Sequence, residues 1–180
     1  MTYIMVDVES DGPIPGTEDF SMVCFGAVLV RDPAQTFYGT TKPISDKWNP
    51  EALAISGFSR EEHEKFGDPT ETMLKFKTWL ESVVNVYPDG SKDRPHFIAD
   101  NNGYDFAFIS WYFHHFLGEN PFGFSSRNLG DLYKGCKRNM RTNFRKLRKT
   151  KHTHNPVDDA MGNVEALQAM IEKFDLKGNF

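Results

Sequence analysis

The segment that organises this chain reads Tyr3-Ile4-Met5-Val6-Asp7-Val8-Glu9-Ser10-Asp11-Gly12, an apolar, β-branched run interrupted by acids. This composition predicts a first β-strand. Because side chains alternate along a strand, Asp7 and Glu9 point to the same face, about 7 Å apart. The opposite face carries Ile4, Val6 and Val8. Two unpaired carboxylates on a buried strand repel each other and lose hydration, so the pattern indicates a positive partner between them.

An isolated Asp-x-Glu pair is also typical of an exposed edge strand whose two acids simply face solvent. The choice between a cation site and a solvated edge depends on the rest of the chain. Further acids or histidines that follow buried strands would favour the cation site.

Length and composition indicate one globular domain over residues 1–180. No run of eighteen apolar residues is present, and the first strand begins without a basic segment followed by an apolar one. We therefore expect a cytoplasmic protein with no membrane segment. Cys24 and Cys136 match neither a zinc-site spacing nor a disulfide framework, which favours free thiols.

The charge is unevenly distributed along the chain. The net charge is −4, yet nine of the 21 Lys and Arg residues lie between Lys134 and Lys151, and no acid occurs between Leu132 and Val157. A charge run is usually a solvated face. Because like charges repel, a polyanionic ligand such as nucleic acid is the alternative explanation of this basic segment.

Periodicity and turn residues predict an α/β order of three strands, then helix, strand, helix, strand and helix. The three strands form an antiparallel meander, and the strand after the first long helix pairs in parallel with the first strand. This order predicts a central mixed sheet flanked by helices. The expected strands are 3–12, 21–30, 36–41, 96–99 and 123–128. The expected helices are 49–55, 69–86, an aromatic helix that is entered within residues 100–109 and ends at about 117, a basic region from 130, and a last helix of about 18 residues that starts at 155–156.

The acids of the first strand and the residues that follow later in the chain resemble the DEDDh 3'–5' exonucleases. This family includes the proofreading subunit of bacterial DNA polymerase, ribonuclease T and oligoribonuclease. Asp7-Val8-Glu9 matches the first motif, and Phe25-Gly26-Ala27-Val28 resembles the glycine-containing second strand. Asn101 and Asp105 match the second motif, with Tyr104 before the acid. His154, followed by Asp159 and Ala160, matches the third. Pro50-Glu51-Ala52 and Ile55-Ser56-Gly57 resemble a further family segment.

The resemblance implies a ribonuclease H-like fold with a mixed five-stranded sheet, and hydrolysis supported by two Mg²⁺ or Mn²⁺ ions. It implies that Asp7, Glu9, Asp105 and Asp159 hold the metals and that His154 is the general base. These oxygen ligands suit Mg²⁺, and two such ions suit in-line attack on a phosphodiester. The implied reaction releases nucleoside 5'-monophosphates from single-stranded 3' ends.

Each site residue has a structural alternative. Asp105 alone would be read as the N-cap of the aromatic helix. Asp158 and Asp159 both fall in the first turn of the last helix, where acids interact well with the helix dipole. Only one of them can face the metals, and the spacing from His154 favours Asp159. His152 is the alternative candidate for the general base. A histidine in a basic loop is, however, usually just exposed to solvent.

The nucleic-acid contacts are hypotheses of their own. Phe106 directly follows a candidate ligand and could stack on a terminal base together with Phe20 or Met22. The family's more frequent Thr-Thr-Gly is replaced here by Ser10-Asp11-Gly12, so an extra carboxylate is expected near the site. The remaining candidate contacts are Ser10, Asn101, Arg145, Arg148 and Lys149.

Two other functions stay open at the level of sequence: a catalytically silent nucleic-acid-binding module on the same fold, and a protein that binds phosphorylated small molecules. The sequence encodes no preference for RNA or DNA. It also leaves the oligomeric state open, although ribonuclease T and oligoribonuclease are dimers and a homodimer is therefore one expectation.

Overall fold

The computed structural model describes residues 1–176 as one mixed sheet with helices on both faces. Its five strands are β1 (Thr2–Ser10), β2 (Met22–Leu29), β3 (Thr36–Thr40), β4 (Pro95–Ala99) and β5 (Ser126–Asn128). Its helices are α1 (Pro50–Ile55), α2 (Arg60–His63), α3 (Pro69–Val83), α4 (Asn102–Leu117), α5 (Leu129–Lys137) and α6 (Pro156–Lys173), with a 3₁₀ turn at Arg145–Leu147.

The strand order in the sheet is β3-β2-β1-β4-β5, which places β1 at the centre. Strands β1, β2 and β3 form the predicted antiparallel meander. Strand β4 runs parallel to β1, and β5 runs parallel to β4. The ribonuclease H-like fold class, a mixed five-stranded sheet between helices, is therefore confirmed.

The two faces of β1 enter different hydrophobic cores. Ile4, Val6 and Val8 pack with residues of α3 and α4. Tyr3 and Met5 lie on the opposite face and pack with residues of α5 and α6. Asp7 and Glu9 continue that second face beyond the apolar part, so they lie where the core gives way to a cleft. The alternating pattern of β1 thus fixes both its packing and the position of its acids.

A glycine in β2 allows α6 to reach this cleft. Gly26 pairs directly with Asp7 across the β1–β2 ladder. A Cβ built on Gly26 would lie 2.4 Å from the backbone carbon of Pro156, closer than any real contact. Only glycine therefore permits the first turn of α6 to lie over β2, beside the acids of β1.

Several predicted boundaries are corrected by the structure. Helix α3 ends at Val83 instead of 86, and β5 begins at Ser126 because the preceding residues form a turn in which Gly123 has a φ of 69°. Helix α2, which was not predicted, is one short turn held by a capping box between Ser59 and Glu62. Within residues 1–176, no helix is both long enough and apolar enough to cross a membrane.

Candidate active site

Three carboxylates from two elements meet in the cleft. Asp7 and Glu9 come from the C-terminal half of β1, and Asp159 comes from the first turn of α6. One oxygen from each lies within 4.8 Å of the others. Helix α6 starts here because Asn155 caps it, accepting hydrogen bonds from the backbone nitrogens of Val157 and Asp158. The predicted pair on β1 therefore has a third acid facing it.

Asp105 approaches the same strand from α4. Its Oδ1 accepts a hydrogen bond of 3.1 Å from the backbone nitrogen of Val8, which lies beyond the last residue of β1 that pairs with β4. Its Oδ2 is buried and has no hydrogen-bond partner within residues 1–176. The N-cap position of α4 belongs to Asn101, so the interpretation of Asp105 as an N-cap is wrong. A buried carboxylate oxygen without a donor needs another positive group.

The electrostatics of these acids are those of an uncompensated cluster. Burial, followed by the neighbouring carboxylate of Asp105, raises the pKa of Asp7 well above its usual value. Burial and the charge of Asp159 raise the pKa of Glu9 to about 7. The pKa of Asp105 is also raised, by burial and then by Asp100. Among the described residues, no Lys or Arg forms an ion pair with Asp7, Glu9, Asp105 or Asp159.

This donor set fits hard divalent cations. It consists of carboxylate oxygens, several of them deeply buried, whose mutual repulsion a cation would relieve. The unpartnered Oδ2 of Asp105 points to the same conclusion, because protein side chains supply it with no donor. The residues present therefore match a divalent-metal centre better than a solvated edge strand, and the edge-strand interpretation is wrong because β1 is the central strand.

Asp159 also holds the loop that carries the candidate base. Its Oδ1 accepts from the backbone nitrogen of Thr153 at 3.1 Å, and its Oδ2 accepts from that of His154 at 3.0 Å. His154 has a φ of 61°, a strained conformation for a residue other than glycine. Asp158 is exposed on the same helix, as expected from the angle between adjacent helical residues. The cluster and the loop are thus one unit.

Two histidines of this loop reach the carboxylates. The Nδ1 atom of His154 lies 3.4 Å from Oε1 of Glu9. The Nδ1 atom of His152 lies 2.8 Å from Oδ1 of Asp159, and the two imidazole rings meet edge to face with centroids 4.3 Å apart. Sequence reasoning treated His152 as a merely exposed residue. Its spacing from His154 on an irregular loop gave no sign that both rings would contact members of the carboxylate cluster.

The chain is similar to the 3'–5' DNA exonuclease Cap18 of Escherichia coli, with 37% identity over 134 residues, 74% of this chain and 68% of the relative. The chain belongs to the DEDDh family of 3'–5' exonucleases. No family model matches it.

Solved structures share the fold of this exonuclease at low sequence identity. The cell-death related nuclease 4 (CRN-4) matches with a TM-score of 0.73 and 15% identity over 96% of this chain, which spans 64% of that nuclease. The nuclease domain of 3'hExo, a DEDDh family member bound to rAMP, matches with a TM-score of 0.72 and 13% identity, over 96% of this chain and 92% of that domain. Other matching structures hold zinc, or Mg²⁺ and Mn²⁺.

The residues predicted to contact nucleic acid at the active site lie in different surroundings. Ser10 is buried, and its Oγ lies 2.6 Å from the hydroxyl of Tyr104, so it braces β1 against α4. Asn101 is exposed beside the cleft. Phe106 is half-buried, with its ring edge to face against Phe97 at 5.0 Å. Met22 is fully buried, so its predicted stacking role is wrong.

The basic segment contains both exposed and largely buried cations. Arg145 and Lys149 are exposed. The side chain of Arg148 is only 11% exposed and donates from Nη2 to Asp100 at 2.8 Å and to Asn163. Its guanidinium ties the segment to α6, so the structure makes Arg148 a support and not a surface contact. A groove of about 490 Å³ runs along this segment to the loop and is lined by Asp100, Arg145, Arg148, Lys149, Thr150, Lys151 and His152.

The extra carboxylate, Asp11, has its partners outside the carboxylate cluster. It is fully buried, accepts a hydrogen bond of 2.6 Å from the backbone nitrogen of Ser21, and pairs with Arg60 at 3.2 Å. His63 lies beside Asp11. Burial of the His63 imidazole lowers the pKa of that ring to about 4, so it is neutral near pH 7. The expectation that Asp11 adds a carboxylate to the active site is therefore wrong. A register irregularity between Glu9 and Ser10 accompanies the change of direction.

Proposed function

We propose that this chain removes nucleoside 5'-monophosphates from the 3' ends of single-stranded DNA, with Mg²⁺ or Mn²⁺ as cofactor. The observation that carries the proposal is the uncompensated cluster of Asp7, Glu9 and Asp159, with Asp105 beside it and a histidine at its rim. The choice of DNA over RNA is supported by the similarity to a relative named as a DNA exonuclease.

In this proposal Asp7, Glu9, Asp105 and Asp159 hold two divalent cations. Two such ions activate a water molecule and neutralise charge on the leaving oxygen of a phosphodiester. The carboxylate of Asp7 is influenced electrostatically by both Asp105 and Glu9, so it would help to hold both ions. Asp159 has a second role, because its carboxylate also fixes the backbone of the loop at Thr153 and His154.

His154 accepts the proton of the attacking water. With Nδ1 turned toward Glu9, Nε2 is the ring nitrogen that remains to take this proton. The side chain is 46% exposed, so a scissile phosphate and its water can approach it from solvent. The strained backbone of His154 is maintained by its hydrogen bond to Asp159, which couples the position of the base to the metal ligands.

The basic groove guides the strand that leads to the active site. Arg145 and Lys149 are exposed cations that line the groove together with His152. A backbone with one negative charge per nucleotide is held by such a path without any sequence preference. The four carboxylates all come from one chain, so a homodimer is not needed to complete the site.

The test is digestion of 5'-labelled single-stranded DNA and RNA of the same sequence, with and without EDTA. The expected result is a ladder that shortens from the 3' end, mononucleotide products with 5' phosphates, faster loss of DNA, and no digestion in EDTA until Mg²⁺ or Mn²⁺ is returned. Asp159→Asn should be inactive and Asp158→Asn active. Binding of DNA without any digestion in Mg²⁺ or Mn²⁺ would instead identify a silent binding module.

A further inference from the structure

A second group of metal ligands lies beside the four carboxylates and shares one member with them. One ligand atom each from His152, His154 and Asp159 lies within 4.8 Å of the others. The two imidazoles come from an exposed loop, while the carboxylate is 1% exposed. None of the roles proposed above requires His152. Its position against Asp159 therefore calls for a separate explanation.

We propose that His152, His154 and Asp159 form a site for Zn²⁺ or a similar transition-metal ion, and that an ion bound there inhibits the exonuclease. Zinc is bound by imidazole nitrogen and carboxylate oxygen, with three protein ligands and a water as a common arrangement. Mg²⁺ prefers an all-oxygen set, so the two histidines discriminate between the ions.

The geometry of the loop is already close to that of a zinc site. Nδ1 of His152 lies 2.8 Å from Oδ1 of Asp159. With bonds of about 2.0 to 2.2 Å, tetrahedral ligand atoms lie about 3.3 to 3.5 Å apart, so small side-chain rotations suffice. Two backbone hydrogen bonds from the loop to Asp159 hold the third ligand in place before any ion arrives.

Ion access and ligand preparation also support the site. The His152 and His154 side chains are 54% and 46% exposed, so an ion enters from solvent without displacing the hydrophobic core. Glu9 lies 3.4 Å from His154 and is the nearest candidate for a fourth ligand in place of water. The site is thus open on one side and fixed on the other.

Inhibition follows from the ligands that the two sites share, and this step rests on the proposed function. An ion bound to the imidazole of His154 prevents that ring from accepting a proton from water. The same ion takes Oδ1 of Asp159, a carboxylate that the catalytic cations need. The expected behaviour is loss of activity when Zn²⁺ is added to enzyme already supplied with Mg²⁺.

The first arm of the test measures binding without substrate. The visible absorption of Co²⁺ reports tetrahedral coordination, and Zn²⁺ then competes for the same site. Metal-stripped wild type, His152→Ala and His114→Ala are titrated in parallel; His114 is an exposed histidine of α4 remote in sequence from the loop. The expected result is one tetrahedral Co²⁺ site in wild type and in His114→Ala. The affinity of that site should fall at least about tenfold in His152→Ala, since a lost ligand costs at least as much as a lost outer contact.

The second arm measures Zn²⁺ inhibition in the presence of Mg²⁺, with each variant's rate expressed relative to its own rate without zinc. The half-inhibitory concentration should rise about tenfold or more for His152→Ala and stay unchanged for His114→Ala. Equal Zn²⁺ affinity or equal inhibition of wild type and His152→Ala would overturn the inference. Zinc binding that depends on His152 in a protein without nuclease activity would overturn the proposed function and leave the site standing.

Discussion

Two acids close together in the chain, Asp7 on β1 and Asp11 just after its end, have opposite surroundings. Burial raises the pKa of Asp11 to about 6, but the hydrogen bond from the backbone nitrogen of Ser21 and the positive charge of Arg60 both oppose that rise. Asp7 has only influences that raise its pKa: burial and four neighbouring carboxylates. Where the fold uses a buried carboxylate for structure, it supplies the cation itself. Where it leaves several carboxylates together without one, the cation comes from solution.

The largest effect expected from this contrast is on catalysis. Replacement of Asp7 by Asn should lower the exonuclease rate at least about 10³-fold, because a catalytic ion contributes several kcal/mol of transition-state stabilisation. The fold should persist, since the substitution removes a charge that its neighbours repel. Rates on single-stranded DNA with Mg²⁺, together with circular dichroism of the variant, check both statements. A variant that keeps a tenth of the wild-type rate would break the comparison.

The second effect is on stability and concerns the other acid. Arg60→Ala leaves the buried carboxylate of Asp11 without its cation and should lower the free energy of unfolding by about 3 to 5 kcal/mol. Metal-free Asp7→Asn should instead melt at a higher temperature than metal-free wild type, because it relieves carboxylate repulsion.

Denaturant unfolding of metal-free proteins measures these changes. Lys42→Ala is the matched control for Arg60→Ala, since it breaks an exposed ion pair with Asp68 and should cost at most about 1 kcal/mol. Equal destabilisation by the two substitutions would show that Asp11 does not depend on Arg60.

The third effect separates the two histidines. His154→Ala should lower the turnover rate by about 10², the usual size of a general-base contribution, while the Michaelis constant changes little. His152→Ala should lower the rate much less, because His152 contacts Asp159 and is not assigned to proton transfer. Steady-state rates of both variants decide the assignment. A greater loss in His152→Ala would transfer the base to that residue.

The fourth and smallest effect concerns the basic groove. Replacing the exposed Arg145 and Lys149 by Ala should weaken binding of a twenty-nucleotide strand several-fold and flatten its salt dependence by about 0.7 per lost phosphate contact. Cleavage of a dinucleotide should hardly change, because it is too short to reach the groove. A solvated face would leave both substrates unaffected.

Arg148→Ala, measured separately, should slow both substrates equally. It breaks the contacts to Asp100 and Asn163 that tie the segment to α6, and therefore disturbs the loop of His154. A loss confined to the long strand would return Arg148 to the set of phosphate contacts.

The sequence predicted the elements of this fold well where one local pattern decides them. The alternation in β1 and the Asn155-Pro156 start of α6 were both legible, because each depends on residues close together in the chain. Helix α2 was missed, since four residues carry too little periodicity. The alternation of β1 also placed Asp7 and Glu9 on one face, whereas the grouping of Asp105 and Asp159 with them was inferred from the family resemblance.

Two features of the site depend on contacts between distant segments and a third on a local backbone conformation, and none of the three could be predicted. The direction of Asp11 is set by Arg60, 49 residues away. The burial of Arg148 depends on Asp100, 48 residues before it. The approach of His152 to Asp159 depends on a positive φ at His154, which no residue type in that loop required. Sequence reasoning therefore identified candidate ligands better than it identified what surrounds them.

The central claim, that the chain leaves its carboxylates uncompensated in order to hold two divalent cations, is tested most directly by counting ions. Metal-stripped protein is titrated with Mn²⁺, and free Mn²⁺ is followed by electron paramagnetic resonance. Repeating the titration with His152→Ala keeps any ion held by the two histidines out of the count. The account predicts that wild type and the folded fraction of Arg60→Ala each bind two ions. It predicts that Asp7→Asn loses at least one of these ions. Two ions retained by Asp7→Asn, or none bound by wild type, would contradict it.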